Sequence, residues 1–369
     1  MGGVSDERVA RALLSRVAEP GDARVSRLIA EHGPVEAIER LRTSADAERY
    51  AARLAAADPE ADLARVADVG GRLIIPGDLE WPSQLDDLGL AAPWALWLRG
   101  PVDLRMSALR SVAVVGARAA TEYGTYVAST LGSDLAAAGW TVVSGGAYGV
   151  DAAAHAGALA VRGVTVAVLA CGVDVAYPVR HDALFARIAA DGLLVSEVPP
   201  GAAPHRTRFL VRNRLIAALT RGTVVVEAAI RSGSLSTARD AERLGRPVLG
   251  VPGPVTSEMS AGVHRELRRG ALLVQSAAEV VEAVGELGTD LAPEPSAPVE
   301  ARDRLDPLAR RVLDAVPVRR PATVDSIART AGVAPAEAQA SLGLLELDGW
   351  VEAGPDGWRL RRRARTPDG

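Results

Sequence analysis

Lysine is absent from this chain, so all 42 basic residues are arginine. A GC-rich coding sequence would account for that, yet arginine is also the side chain suited to bidentate phosphate contacts. Cysteine is nearly absent too. The single Cys171 excludes an internal disulfide framework and a multi-cysteine zinc site. Phenylalanine occurs only as Phe185 and Phe209. No apolar run approaches the ~18–20 residues of a membrane span. Met1 to Arg16 carries acids and arginines early and lacks the ~7–15-residue apolar core of a signal peptide. Together these absences predict a soluble, cytoplasmic protein with no membrane partner.

What remains is a chain of 369 residues, 48% hydrophobic, enough for two or three domains with at least one large core. The net charge of −4 argues against a general polyanion binder, but its distribution is uneven. Pro199 to Leu272 holds 12 Arg against 5 acids, whereas Met1 to Arg110 holds 14 Arg against 18 acids. A basic zone inside an acidic protein predicts a focused anion site.

Residues 1–65 read as a bundle of small helices, with apolar spacing in Val9-Leu13-Leu14-Val17 and breaks at Gly21 and Gly33-Pro34. Residues 70–110 suggest short strands and turns. From 111 to about 275, β-branched runs alternate with helical stretches. The strand candidates are Val112–Val115, Thr141–Val143, Thr165–Leu169, Leu193–Val195, Thr223–Val226 and Val248–Val251. That rhythm predicts a doubly wound parallel α/β sheet. The predicted divisions are a helical module (1–65), an α/β core (66–284), a Pro/Glu-rich linker (285–304) and a second small module (305–369). In the last, three helical stretches and a hairpin around Gly354-Pro355-Asp356-Gly357 make a winged-helix pattern.

Four features sit at or near predicted strand ends, where a parallel sheet brings separate turns to one edge. Gly116-Ala117-Arg118 lets the backbone turn tightly toward a ligand, with Arg118 and Thr121 as possible phosphate donors. Ser144-Gly145-Gly146-Ala147-Tyr148-Gly149 has enough glycine to form an anion-binding nest, and Asp151 is read as the N-cap of the following helix. Phe209 with Arg212, Asn213 and Arg214 follows a long proline-rich loop. Phe209 fits either base stacking or a core position at a helix start. Arg212 and Arg214 are two apart, so one can meet phosphate while the other pairs internally with Glu197 or Glu227. Ser232, Gly233 and Ser234 place hydroxyls at a helix start, an anion site or a plain serine cap.

The glycine spacing is neither Gly-x-Gly-x-x-Gly nor Gly-x-x-x-x-Gly-Lys-Ser/Thr, so dinucleotide and nucleoside triphosphate binding gain no support. No nucleophile elbow, His-Glu-x-x-His or cysteine pair is present. His155 and Cys171 read as packing residues. No metal and no cofactor are predicted.

These motifs, in order, resemble the DNA-processing protein A (DprA/Smf) family. The resemblance runs from Trp81-Pro82 through Gly116-Ala117-Arg118, Asp151 to His155, Cys171-Gly172-Val173-Asp174, Tyr177-Pro178, Phe209-x-x-Arg212-Asn213-Arg214 and Ser232 to Ala238, to Val251-Pro252-Gly253. It implies an extended Rossmann-like core, a sterile-alpha-motif-like N-terminal module and a C-terminal winged helix. It also implies non-catalytic binding of single-stranded DNA, loading of the RecA recombinase during natural transformation, and homodimers through the core. Carried over by position, Arg118, Gly145, Gly146, Phe209, Arg212, Asn213 and Arg214 are DNA-site candidates. The chain departs from the family pattern at Tyr148, where a basic residue is common, at His264, where asparagine is common, and at Glu266, where an apolar residue is common. Two other readings stay open: a nucleotide-phosphoribosyl hydrolase using Glu197 or Glu227, and a nucleotide-sensing regulator whose winged helix binds duplex DNA.

Overall fold

Short β-branched runs form one nine-stranded sheet in the computed structural model, which describes residues 6–43, 47–286, 290–292 and 301–361. The strands are β1 (Gly71–Ile74), β2 (Leu96–Arg99), β3 (Ser111–Val115), β4 (Thr141–Ser144), β5 (Thr165–Leu169), β6 (Leu193–Ser196), β7 (Thr223–Val225), β8 (Val248–Gly250) and β9 (Leu272–Leu273). Their order is β1-β2-β6-β5-β4-β3-β7-β8-β9. The run from β6 to β9 is parallel, and β2 and β1 extend it antiparallel. All six expected strands are present. The extension by β1 and β2, and the outer strand β9, go beyond the expectation.

From β3 to β8 both faces of the sheet are buried, as helical crossovers require. Side chains alternate along each strand. Val112 and Val114 pack with Ala128, Leu131 and Leu135 of helix Glu122–Ala137 and with Val150 and Ala154 of helix Val150–Ala160. Ala113 and Val115 face the other way, onto Leu215 to Leu219 of helix Arg206–Leu219 and Leu235, Ala238 and Ala241 of helix Ser234–Arg243. From β3 the chain winds outward through β4 and β5 to β6. It then returns through helix Arg206–Leu219 to β7, on the other flank of β3. The winding direction therefore reverses between β3 and β7, where open α/β sheets form a crevice at the strands' carboxyl ends.

The N-terminal helices Asp6–Val17, Ala23–Thr43, Ala47–Ala56 and Pro59–Asp68 belong to the same compact unit as the sheet, Met1–Pro293. The second of them breaks at Gly33, where φ is 78° ahead of Pro34. Trp94 packs with Leu14, Val17 and Tyr50, and its indole N–H donates to Ser26 Oγ at 3.0 Å. Arg16 pairs with Asp62 and donates to the Pro200 carbonyl at 2.7 Å, and Arg208 grips Glu19 at 2.8 and 2.9 Å.

The second unit, Glu294–Gly369, holds helices Pro307–Ala315, Val324–Ala331 and Pro335–Leu347 and a hairpin of β10 (Val351–Gly354) and β11 (Gly357–Leu360). Val312, Leu313, Ile327, Leu342, Leu345 and Val351 form its core. Within the expected 285–304 linker, residues 287–289 and 293–300 lie outside the described residues, as do Arg362 and Arg363 of the basic tail.

Candidate functional site

The crevice at the β3/β7 reversal is a cleft of about 480 Å³. Gly116, Ala117 and Arg118 form one wall, and Phe209, Arg212 and Asn213 form another. Ser232, Gly233 and Ser234 lie across from them, with Ala147 and Asp151 also lining the cleft. Turns far apart in the chain thus converge as the sheet topology requires.

Main-chain contacts lock the turns together. Ala117 N–H donates to the Glu227 carbonyl at 2.7 Å, and Val150 N–H donates to the Ala117 carbonyl at 3.2 Å. A Cβ on Gly116 would lie 2.8 Å from the Glu227 carbonyl oxygen, so only glycine admits this approach. Gly149 sits at φ 76° against the carbonyls of Ala117 and Arg118.

Arg212 forms the floor. Its guanidinium donates to the carbonyls of Gly145 (2.8 Å) and Val168, at the carboxyl ends of β4 and β5, and to Asn213 Oδ1 at 3.2 Å. Burial lowers its pKa to about 10, against the pull of Asp151. Asn213 Nδ2 donates to Ser236 Oγ at 2.7 Å and to the Gly233 carbonyl at 3.3 Å, tying the floor to the serine-rich turn.

Asp151 is not the N-cap the sequence suggested. Gly149 holds that position, and the helix begins at Val150. The Asp151 carboxylate instead accepts from the Gly145 and Ala147 amides at 3.2 and 3.3 Å. It occupies the nest that the glycines form. Burial pushes this carboxyl up, while Arg212 and the amides oppose the shift.

The mouth carries the accessible charge. Arg118 and Arg231 are exposed, and neither has an acidic partner among the described residues. The Arg118 guanidinium carbon lies 4.9 Å from the centre of the Phe209 ring, in cation–π geometry. Phe209 is half-buried and also meets Tyr177 at 5.7 Å. It is a rim residue, and the core alternative is set aside.

Several candidates lie outside the cleft because their polar groups are engaged elsewhere. Thr121 donates from both its amide and its hydroxyl to Glu227, at 2.9 and 2.7 Å. Ser144 donates to the Val114 carbonyl at 2.7 Å and is fully buried. Arg214 is held by both oxygens of Glu197 at 2.7 Å, the internal pairing anticipated for one of the two arginines. Gly145, Gly146 and Gly149 shape the turn behind the cleft wall. Among the departures, Tyr148 is exposed beside His181, and His264 Nε2 lies 3.1 Å from the Gly253 carbonyl. Buried Glu266 is met by Arg265 at 2.8 and 3.0 Å. Arg231 stood in the serine-rich motif but not among the candidates. Leu210, Ile216 and Met259 also line the cleft, and nothing in their local sequence marks them.

Comparisons with known proteins identify the family and the fold. The family described as "DNA recombination-mediator protein A" matches residues 72–285. The one described as "DprA winged helix domain" matches residues 293–357. A Mycobacterium tuberculosis protein bearing the DprA name is 47% identical over 365 residues, covering 95% of this chain and 94% of its own length. The X-ray structure of DNA processing protein A from Streptococcus pneumoniae matches with a TM-score of 0.64 at 30% identity, over 77% of this chain and all of that one. A Helicobacter pylori DNA processing protein A, whose structure is described in terms of a single-stranded DNA binding mode, matches with a TM-score of 0.52 at 30% identity. That match covers 57% of this chain and 94% of the other.

Proposed function

The chain belongs to the DNA processing protein A (DprA/Smf) family of DNA recombination mediators, and from that premise we propose that the β3/β7 cleft binds single-stranded DNA without catalysis. The observation that carries this reading is the rim. Arg118 lies over Phe209 with no acidic partner among the described residues, and Arg231 and the Ser232–Ser234 turn line the same cleft. A cation beside an aromatic face is how single strands are held without sequence readout, one phosphate and one base at a time.

The acids support binding rather than hydrolysis. Glu197 is neutralised by Arg214, Glu227 anchors Thr121, and neither lines the cleft. The acid that does line it, Asp151, has its carboxylate turned onto backbone amides. Incubation with nucleoside monophosphates is expected to release no free base. Release of base would favour the phosphoribosyl-hydrolase reading.

The further role is delivery of the bound strand to the RecA recombinase in the cytoplasm, during DNA processing or natural transformation, by a homodimer formed through the core. The divisions 1–65, 66–284, 285–304 and 305–369 are its proposed modules. RecA assembly on a labelled single strand should start sooner when this protein is present. An unchanged lag would remove the mediator role while leaving strand binding intact.

A further inference from the structure

Tyr148 and Tyr177 each leave 42% of their surface exposed, in a chain with only five Tyr and two Phe. Both stand beside the cleft. Tyr148 lies in the chain between Ala147 and Asp151, which line it, and Tyr177 packs against the rim residue Phe209. Neither ring dangles. Tyr148 meets the His181 ring edge-on at 4.7 Å and 73°. His181 is itself fixed, its Nδ1 3.1 Å from the Gly146 carbonyl and its ring 6.1 Å from buried Phe185. Tyr177 is backed by Phe209 at 5.7 Å.

Their hydroxyls do not explain this placement. Tyr50 and Tyr123 anchor theirs, on Asp22 and on the Pro252 carbonyl. Among the described residues, the phenol oxygens of Tyr148 and Tyr177 have no hydrogen-bond partner. What each offers is a supported aromatic surface. Arg180, three residues after Tyr177, and Arg206, three residues before Phe209, are exposed and have no acidic partner among the described residues.

We propose that Tyr177 and Tyr148 form a base-stacking lip that continues the cleft, so that a strand held at Arg118 lays further unpaired bases on these rings. The proposal rests on the single-strand reading above and extends it to the nucleobases as ligands. Every base has a π-face, so such a lip tolerates any sequence. It excludes duplex, whose bases are already stacked. A base stacked on Tyr148 neutralises no phosphate, so this contact is insensitive to salt.

The test is fluorescence anisotropy with two labelled strands of equal length, oligothymidine and its abasic counterpart. Tyr148→Ala and Tyr177→Ala should each weaken the thymine strand about tenfold. They should leave abasic binding and the salt slope unchanged, and Tyr148→Phe should retain wild-type affinity. Wild-type affinity in both alanine variants would overturn the lip. So would equal weakening on both strands, which would point to a disturbed turn. Arg118→Ala in the same titrations reports on the parent reading. If it weakens both strands, the cleft stands whatever becomes of the lip. If it changes neither, the cleft assignment fails first.

Discussion

At the scale of single residues, burial decides which charged groups meet a ligand and which hold the fold. Arg214 and Arg212 are neighbours in one motif but do different work. Arg214 is a buried partner of Glu197, with side-chain exposures of 10% and 7%. Breaking such a pair leaves a buried charge uncompensated, at a cost of about 3–5 kcal/mol. Arg214→Ala should therefore lower the urea midpoint strongly while the folded fraction binds single strands as wild type does. A loss of affinity without a loss of stability would place Arg214 in the site. His155 supplies a pH signature. Thr165 Oγ1 donates to the Val142 carbonyl and so accepts from His155 Nδ1, and Nε2 is buried without a partner. Burial lowers this histidine from 6.5 to about 3. Between those values the unfolded chain binds the extra proton, so stability is full above pH 6.5 and falls as pH drops, by about 1.4 kcal/mol per unit. Denaturation of wild type and His155→Gln at pH 7 and pH 5.5 should show a smaller pH loss in the variant. Equal losses would contradict a neutral buried His155.

At the scale of elements, the sequence displays what is local and hides what is long-range. The β-branched runs of β3 to β8 are legible because both faces of a parallel strand are apolar. The pairing of β1 with β2 and of β2 with β6 is not, because Leu73-Ile74-Ile75 and Leu96-Trp97-Leu98 carry no signal of their partner. The glycine turns were legible for a similar reason, since close backbone approach leaves a residue-type mark. Which donors the fold had already spent could not be read. Glu227 takes both Thr121 groups from 106 residues away, and Asp151 turns back into the nest rather than capping its helix. The winged-helix unit was readable from helical periodicity and the Gly-Pro-Asp-Gly turn. Its third helix, Pro335–Leu347, carries Glu337 and Glu346 and no arginine, a poor surface for duplex phosphates. Removing residues 294–369 should leave single-strand affinity within about twofold of wild type, a change under ~0.5 kcal/mol. Loss of binding on truncation would move the DNA site into that unit.

At the scale of the molecule, an acidic chain sets Arg118, Arg212 and Arg231 around one crevice, and its sheet ends at β1 on one side and β9 on the other. β9 is an outer strand, and its Leu272 and Leu273 are about half exposed. An apolar edge with no further strand among the described residues is a template for association. We propose this edge as the contact surface of the homodimer proposed above, which would also double the footprint on a strand and add avidity. Leu273→Arg should convert the dimer to monomer in sedimentation experiments and weaken binding to long strands more than to short ones. An unchanged sedimentation coefficient would place the dimer contact elsewhere.

The most direct test of the cleft is anisotropy of labelled single- and double-stranded oligonucleotides at two salt concentrations, with wild type and Arg118→Ala. The expected result is a preference for single strands, a loss of affinity of about tenfold in the variant, and a log–log salt slope shallower by about 0.7, the value of one neutralised phosphate. Binding that is indifferent to Arg118 in both affinity and slope would contradict it.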